Sequence, residues 1–147
     1  NEPSEDYILP FGKANIVQEI WEQEDETISV IAYGMGVHWA LNASSEMKNS
    51  VEIIDLRTLF PLDEETIFKS VRKTKKCLVI TEESVNNSFA RSLAGLIQEN
   101  CFKDLDAPVM VIGSENLPAI PLNTVLEQTM IPNVEKVRRK IEELMNY

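Results

Sequence analysis

Short apolar runs alternate with helical patterns along most of this chain, and this alternation predicts its architecture. Four runs are rich in β-branched and aliphatic residues, which is typical of buried strands, and a weaker run precedes them. Strands separated by helices indicate crossover connections. We therefore predict an α/β fold with a mostly parallel sheet covered on both faces. The predicted strands are residues 15–21, 27–33, 51–56, 77–81 and 108–112.

Helical patterns fill the intervals between the predicted strands. Apolar side chains recur on one stripe of each helix, as expected for helices that cover a sheet. Side chains that can accept from free backbone N–H groups stand at two of the predicted starts. The predicted helices are residues 37–47, from Asp63 to about Lys73, from Asn87 or Ser88 to Cys101, about 122–129, and 134–145.

The first residues differ from the rest of the chain. Residues 1–13 are polar overall and are interrupted by Pro3, Pro10 and Gly12, which break any regular pattern. We interpret them as an N-terminal arm or linker, and residues 14–147 as one folded domain, a size that can bury a core without disulfides.

Composition and charge narrow the classes of function. The formal net charge of −10 argues against nucleic acid as a partner, because phosphates require clustered Lys and Arg. The one basic run, residues 72–76, falls at a predicted helix end, where cations complement the exposed carbonyl groups. No apolar run approaches the ~20 residues of a membrane helix, so no membrane role is expected.

The two cysteines and the start of the chain indicate the compartment. Cys77 opens a predicted strand and Cys101 ends a predicted helix, so we expect two buried thiols rather than a disulfide or a metal pair. The first residues show no signal-peptide pattern. The expected location is the cytoplasm, or the mitochondrial matrix if the source is eukaryotic.

The segment from Val51 to Asp63 is the most informative part of the chain. An apolar run ends there with Asp55 and Arg57, and a Phe60-Pro61 corner follows. Charges at the end of a buried strand need partners, and this pairing can serve a fold corner, an interface or a ligand. If the two charges form a buried or interface pair, Arg57→Ala should lower stability or assembly by ~3 kcal/mol or more.

A glycine pair invites a dinucleotide interpretation, which we reject. Gly34 and Gly36 lie between a predicted strand and a helix, as in the dinucleotide fingerprint. The third glycine of that fingerprint is replaced by Trp39, although Asp55 is near the expected spacing for a ribose partner. A glycine turn that leads into a helix explains the pattern better.

Candidate catalytic groups are few. His38 is the only histidine, and a lone histidine without a nucleophile and an orienting acid makes a surface or interface residue more probable. Glu82 and Glu83 end a predicted strand beside the crevice where α/β folds bind ligands, but adjacent acids usually point apart into solvent. No pair of His or Cys residues has the spacing of a zinc site.

Several blocks, in their order, resemble the transketolase C-terminal domain found in the beta subunit of thiamine-diphosphate-dependent 2-oxo acid dehydrogenases, of the pyruvate or branched-chain (2-oxoisovalerate) type. The resemblance runs from about Tyr7 to the C-terminus. It is carried by Leu9–Ala14 (LPFGKA), Ile28–Leu41 (ISVIAYGMGVHWAL), Glu52–Ile67 (EIIDLRTLFPLDEETI), Asp106–Val109 (DAPV) and Ile131–Val137 (IPNVEKV).

The resemblance implies a three-layer α/β/α sandwich with five strands, of which the first is antiparallel to the others. It implies that thiamine diphosphate and magnesium are bound by other parts of the parent enzyme, so the isolated chain should be inactive. It also implies a role in subunit dimerisation and in docking on the lipoyl acyltransferase. The partners would be an alpha subunit, a second beta subunit and the subunit-binding domain of the acyltransferase. The interface residues we expect are His38, Arg57, Phe60, Pro61 and Phe89.

Two loops depart from the family pattern, and two alternatives remain open. The turn at 85–89 lacks the usual glycines, and the connection at 117–121 lacks the usual Thr-Pro, so partner geometry is expected to differ. The chain could instead be a stand-alone small-molecule-binding or regulatory domain that uses the crevice beside Glu82 and Gly34. It could also belong to another thiamine enzyme, such as a transketolase, although the LPFGKA and DAPV blocks favour the dehydrogenase.

Overall fold

One five-stranded sheet organises the chain. A computed structural model describes residues 6–21, 26–47 and 49–147. The strand order is β1-β3-β2-β4-β5; β1 runs antiparallel to β3, and the other neighbouring strands are parallel. This confirms the mixed sheet implied by the resemblance. The strands are β1 (Asn15–Gln18), β2 (Ile28–Ala32), β3 (Val51–Asp55), β4 (Cys77–Ser84) and β5 (Met110–Ser114).

Helices cover both faces of the sheet and complete the predicted three-layer sandwich. Side chains alternate along each strand, so Ile53 and Ile54 of β3 enter different cores. One core is closed by α1 and α5, and the other by α2 and α3. None of the helices in the described ranges is long and apolar enough to cross a membrane. The helices are α1 (Met35–Ala43), α2 (Glu64–Thr74), α3 (Phe89–Cys101), α4 (Thr124–Met130) and α5 (Val134–Met145), with a 3-10 turn at Phe102–Asp104.

Four elements differ in their bounds from the predictions. The first strand was expected to reach Trp21 but ends at Gln18, because its register with β3 shifts between Ile16 and Gln18. The fourth strand was expected to end at Thr81 but continues to Ser84, where it pairs with Ser114 of β5. The last strand lies two residues later than predicted, and the first helix ends at Ala43 rather than at residue 47.

Polar groups buried between the sheet and α2 are paired across the layers. The Ser29 hydroxyl of β2 hydrogen-bonds to those of Ser70 and Thr74 at 2.6 and 2.7 Å. Glu52 of β3 forms an ion pair with Lys73. Because a buried polar group without a partner is costly, these bonds fix how α2 sits on the sheet.

The basic run lies at the end of α2, as predicted, with Arg72 and Lys73 in the last turn. Three of its cations also form ion pairs: Arg72 with Asp104 at 3.4 Å, Lys73 with Glu52, and Lys75 with Asp106 at 3.7 Å. Lys76 instead donates to the Met145 carbonyl at 2.8 Å.

Both cysteines are free and fully buried, as expected from their positions. Burial in the core raises the pKa of the Cys77 thiol far above its ordinary value, with a smaller contribution from Cys101. Burial also raises the pKa of Cys101. Both groups therefore remain neutral thiols that pack as small apolar side chains.

Asp63 joins the start of α2 to the beginning of the domain. Its carboxylate accepts from the backbone N–H and the hydroxyl of Thr66 at 3.2 and 2.9 Å, and from the Ala14 N–H at 2.9 Å. Burial by itself would raise the pKa of Asp63, but these hydrogen bonds outweigh it and hold the pKa below the ordinary 3.8. The charged form therefore stabilises the fold.

We expect Asp63→Asn to lower the free energy of unfolding by about 1–3 kcal/mol at neutral pH, because an amide cannot accept from all three donors. The pKa of Asp63 in the folded state is below the ordinary 3.8. The stability that the charged carboxylate contributes is therefore fully present above pH 3.8, and it is lost as the pH falls through the folded pKa. Urea denaturation at neutral and acid pH measures this. Asp104→Asn, at an exposed ion pair, is the control, and an equal loss in both variants at neutral pH would contradict the role of Asp63.

Candidate interaction surfaces

The carboxyl ends of the parallel strands lie at one edge of the sheet, and the predicted site residues gather near it. Tyr33 follows β2, Asp55 ends β3, and Thr81 lies in β4. The arm reaches the same edge because β1 is antiparallel, so Asn15 pairs with Asp55. This edge is where ligands and partners bind in many α/β proteins.

Glu83, a carboxylate candidate from the sequence, ties three elements together. It accepts from the Tyr33 hydroxyl at 2.8 Å and from the Phe89 N–H at 3.0 Å. The Tyr33 hydroxyl also hydrogen-bonds to Thr81 at 2.7 Å, and the Tyr33 and Phe89 rings pack edge to face at 5.8 Å. Glu83 thus supports the start of α3, where Ser88 rather than Asn87 provides the cap. This engagement gives Glu83 a structural role.

The pKa of Tyr33 is changed by its burial and by this network. Burial, opposed by the hydrogen bond with Thr81 and reinforced by Glu83, raises the pKa of Tyr33 to about 12. Its phenol therefore stays protonated and donates to Glu83 throughout the physiological range.

The glycine turn is structural, as the sequence indicated. Gly34 has φ +56°, a left-handed conformation that suits glycine. At Gly36 a Cβ would come within 3.1 Å of the Ile80 side chain, so the missing side chain lets α1 lie close to β4. Trp39, where a dinucleotide fingerprint would need its third glycine, packs against the core closed by α1 and α5.

Asp55 and Arg57 form a loose pair at the end of β3. Their nearest charged atoms, Arg57 Nε and Asp55 Oδ2, lie 3.9 Å apart, and the side chains are 26% and 27% exposed. The Arg57 N–H also donates to Asp55 Oδ1 at 3.2 Å. The chain by itself does not bury this pair, so the buried-pair alternative is wrong here. The interface alternative stays a prediction.

The Phe60-Pro61 corner and the arm form one exposed apolar surface. Thr58 joins them, because its hydroxyl donates to the Pro61 carbonyl at 2.9 Å and accepts from the Gly12 N–H at 3.0 Å. The Phe60-Pro61 peptide is cis, and the Phe60 side chain is 94% exposed. We call this the arm surface; its exposed apolar members are Tyr7, Ile8, Leu9, Phe11, Leu59 and Phe60.

The arm was the part of this surface that sequence reasoning missed. Residues 1–13 were interpreted as polar, although Tyr7–Phe11 reads YILPF. That apolar cluster was the available signal.

The predicted interface residues Arg57, Phe60 and Pro61 share the loop that the arm contacts. Phe89 instead packs on Tyr33, and His38 lies exposed on α1 with its carbonyl bound to the Asn42 amide.

A second apolar surface follows β5. We call it the α4 surface; it consists of Leu117, Ile120, Leu122, Val125 and Leu126, all exposed. The α4 helix is attached to the domain through Lys136, whose ammonium donates to the Thr129 and Ile131 carbonyls. Apolar residues on an unpaired face are typical of interaction sites.

The two loops that depart from the family pattern contact each other. Asn87 adopts φ +58°, a left-handed conformation that asparagine tolerates better than most residues. The Asn86 N–H donates to the Asn116 side chain at 3.0 Å, which joins this turn to the connection after β5. The α4 surface begins directly after that link.

Comparison with known proteins decides the family. The family described as transketolase, C-terminal domain, matches residues 12–137. The chain belongs to the transketolase C-terminal domain family. The match begins in the arm and ends inside α5, and it confirms the resemblance seen in the sequence.

Relatives of this transketolase C-terminal domain include beta subunits of 2-oxo acid dehydrogenases. The 2-oxoisovalerate dehydrogenase subunit beta of Bacillus subtilis is 36% identical over 148 residues, which cover 99% of this chain and 44% of that protein. The mitochondrial 2-oxoisovalerate dehydrogenase subunit beta of Chaetomium thermophilum is 39% identical, covering 90% of this chain and 28% of that protein. The pyruvate dehydrogenase E1 component subunit beta of Rhizobium meliloti is 32% identical, with coverages of 90% and 28%. The chain thus spans less than half of these relatives.

A solved structure supports the fold assignment. A split gene transketolase, described as an inactive beta4 tetramer, superposes with a TM-score of 0.75 at 18% identity and covers 97% of this chain and 45% of that chain. The sandwich is therefore the transketolase C-terminal fold.

The Tyr33 network predicts a late tyrosine ionisation. In an ultraviolet absorbance titration we expect Tyr33 to ionise near pH 12. Tyr33→Phe should remove the late phase, whereas Tyr147→Phe should leave it intact. A late phase that persists in Tyr33→Phe would contradict the network.

Arg57→Ala should change the free energy of unfolding of the isolated chain by less than about 1 kcal/mol, because a loose and partly exposed pair contributes little. Chemical denaturation measures this value. Arg138→Ala, which removes an ion pair with Glu46 at 3.3 Å, is a matched control. A loss of about 3 kcal/mol in Arg57→Ala alone would restore the buried-pair interpretation.

Proposed function

We propose that this chain is the C-terminal assembly domain of the beta subunit of a 2-oxo acid dehydrogenase, in the component that decarboxylates the 2-oxo acid. The domain serves subunit dimerisation and docking on the lipoyl acyltransferase, and it is inactive alone. Relatives that are dehydrogenase beta subunits support the parent enzyme. The two 2-oxoisovalerate relatives, at 36% and 39% identity against 32% for the pyruvate relative, favour a branched-chain substrate.

The arm surface is the observation that carries the assembly role. Six large apolar residues lie exposed there. The Thr58 hydrogen bonds join the Phe60 loop to Gly12 at the end of the arm, which limits the ordering entropy lost there when a partner covers the surface. An exposed aromatic such as Phe60 on a fixed loop is suited to anchor an interface. The proposed partners are a second beta subunit and the alpha subunit.

Docking on the acyltransferase is supported by charge. The net charge of −10 would steer a basic partner toward this domain. We therefore propose the subunit-binding domain of the acyltransferase as a further partner.

The cofactors of the parent enzyme, thiamine diphosphate and magnesium, are assigned to its other parts. The described residues include no group of three or more His, Cys, Asp or Glu side chains that could hold a metal ion. The proposed location is the cytoplasm, or the mitochondrial matrix if the source is eukaryotic. The mitochondrial relative from Chaetomium supports the second location.

The assembly role predicts that Phe60→Ser in the complete beta subunit weakens association with its partner subunits at least about tenfold, because the variant removes an aromatic anchor. Light scattering of the subunit mixed with its alpha partner measures the assembly. Phe102→Ser is the matched control, since Phe102 is 71% exposed but lies outside both surfaces. The unfolding midpoint of each variant verifies the fold.

Two results would contradict this proposal. One is unchanged assembly in Phe60→Ser. The other is decarboxylation of a 2-oxo acid by the 147-residue chain alone.

A further inference from the structure

A cavity of about 400 Å³ lies between α2 and the edge strand β1. It is away from the arm surface, because Glu19, just after β1, lies toward the opposite edge of the sheet. Its volume falls within the range of small-molecule sites, about 300–1,000 Å³. The cavity is lined by Ile16, Glu19, Glu52, Thr66, Lys69, Ser70 and Lys73.

Glu52 contributes a buried carboxylate to the lining. The residue is 1% exposed, and its Oε2 pairs with Lys73 and accepts from the Ile20 N–H at 3.5 Å. Its Oε1 is buried and accepts no hydrogen bond from the residues that the structure describes. A buried carboxylate is stabilised when all its lone pairs have donors, so Oε1 is an acceptor ready for a further donor.

Glu52 is one of the residues that line the cavity. The terminal torsion of a glutamate is soft, so its carboxylate can turn slightly toward a donor that enters the cavity. A donor that arrives there would complete the hydrogen bonding of a group the fold already buries.

Within the described ranges, two acidic and two basic residues line the cavity. Glu19 and Glu52 are acidic, and Lys69 and Lys73 are basic. Within the described ranges, neither Glu19 nor Lys69 takes part in an ion pair. A ligand with no net charge but with both an ammonium and a carboxylate complements such a lining better than a simple anion or cation. Ile16 adds a small apolar wall.

We propose that this cavity binds a small zwitterionic α-amino acid. Its ammonium donates to Glu52, its carboxylate pairs with Lys69, and its side chain lies against Ile16. The inference is independent of the assembly role, because the cavity shares no residue with the arm surface or the α4 surface.

The test is a nuclear magnetic resonance titration of the isotopically labelled 147-residue chain with L-alanine and L-valine. We expect saturable shifts at the backbone amides of Ile16, Ser70 and their neighbours. Methylamine and acetate, which each carry half of the zwitterion, should bind at least about tenfold more weakly, because each forms only one charge-assisted contact.

Two lysine variants locate the site. K69M should weaken amino acid binding at least about tenfold, because it removes a charge-assisted hydrogen bond. K103M removes an exposed lysine outside the cavity and should bind like the wild type. E52Q should also lose binding, and if it does not fold, K69M decides the question alone.

Three outcomes would overturn the proposal. They are the absence of saturable shifts, shifts that are equal in K69M and the wild type, and binding of methylamine or acetate as strong as that of the amino acid. None of these outcomes bears on assembly through Phe60, so the two proposals fail separately.

Discussion

The complete burial of strand β2 is the constraint on which the rest of this structure depends. All five of its residues are buried, with β3 and β4 on its sides and helices on both faces. A parallel strand in this position must be apolar on both sides, and any polar group on it must be paired. Ser29 meets this requirement through Ser70 and Thr74, so the central strand also positions α2.

Polar residues at the carboxyl edge of the sheet are largely used by the fold itself. Glu83 and Tyr33 hold β2, β4 and α3 together, and Asp63 holds α2 to the start of β1. In an enzyme domain of this class such groups would be available to a ligand. Phe60 remains exposed near this edge, and such an aromatic residue suits the interface proposed above.

Periodicity in the sequence was enough to predict most of the fold. It predicted five strands, the helices between them, the cap at Asp63 and a cap of α3 at Asn87 or Ser88. Two of the errors occurred where pairing between distant segments set the boundary. The extension of β4 to Ser84 depends on pairing with Ser114, thirty residues later, and no local pattern contains that information. The early end of β1 depends in the same way on its register with β3.

The sequence by itself determined the fold class, the burial of both cysteines and the absence of a dinucleotide fingerprint, because periodicity, chain position and glycine spacing are local properties. Only the tertiary structure decided how the charged and apolar residues are used. Asp55 and Arg57 proved to be a loose pair, and Glu83 proved to be a structural acceptor. The arm joined the Phe60 loop because β1 is antiparallel, and the cavity beside Glu52 formed because α2 leaves the edge of β1 open. These features depend on which segments meet in space, and that is decided by strand order and register rather than by the residues next to them in the chain.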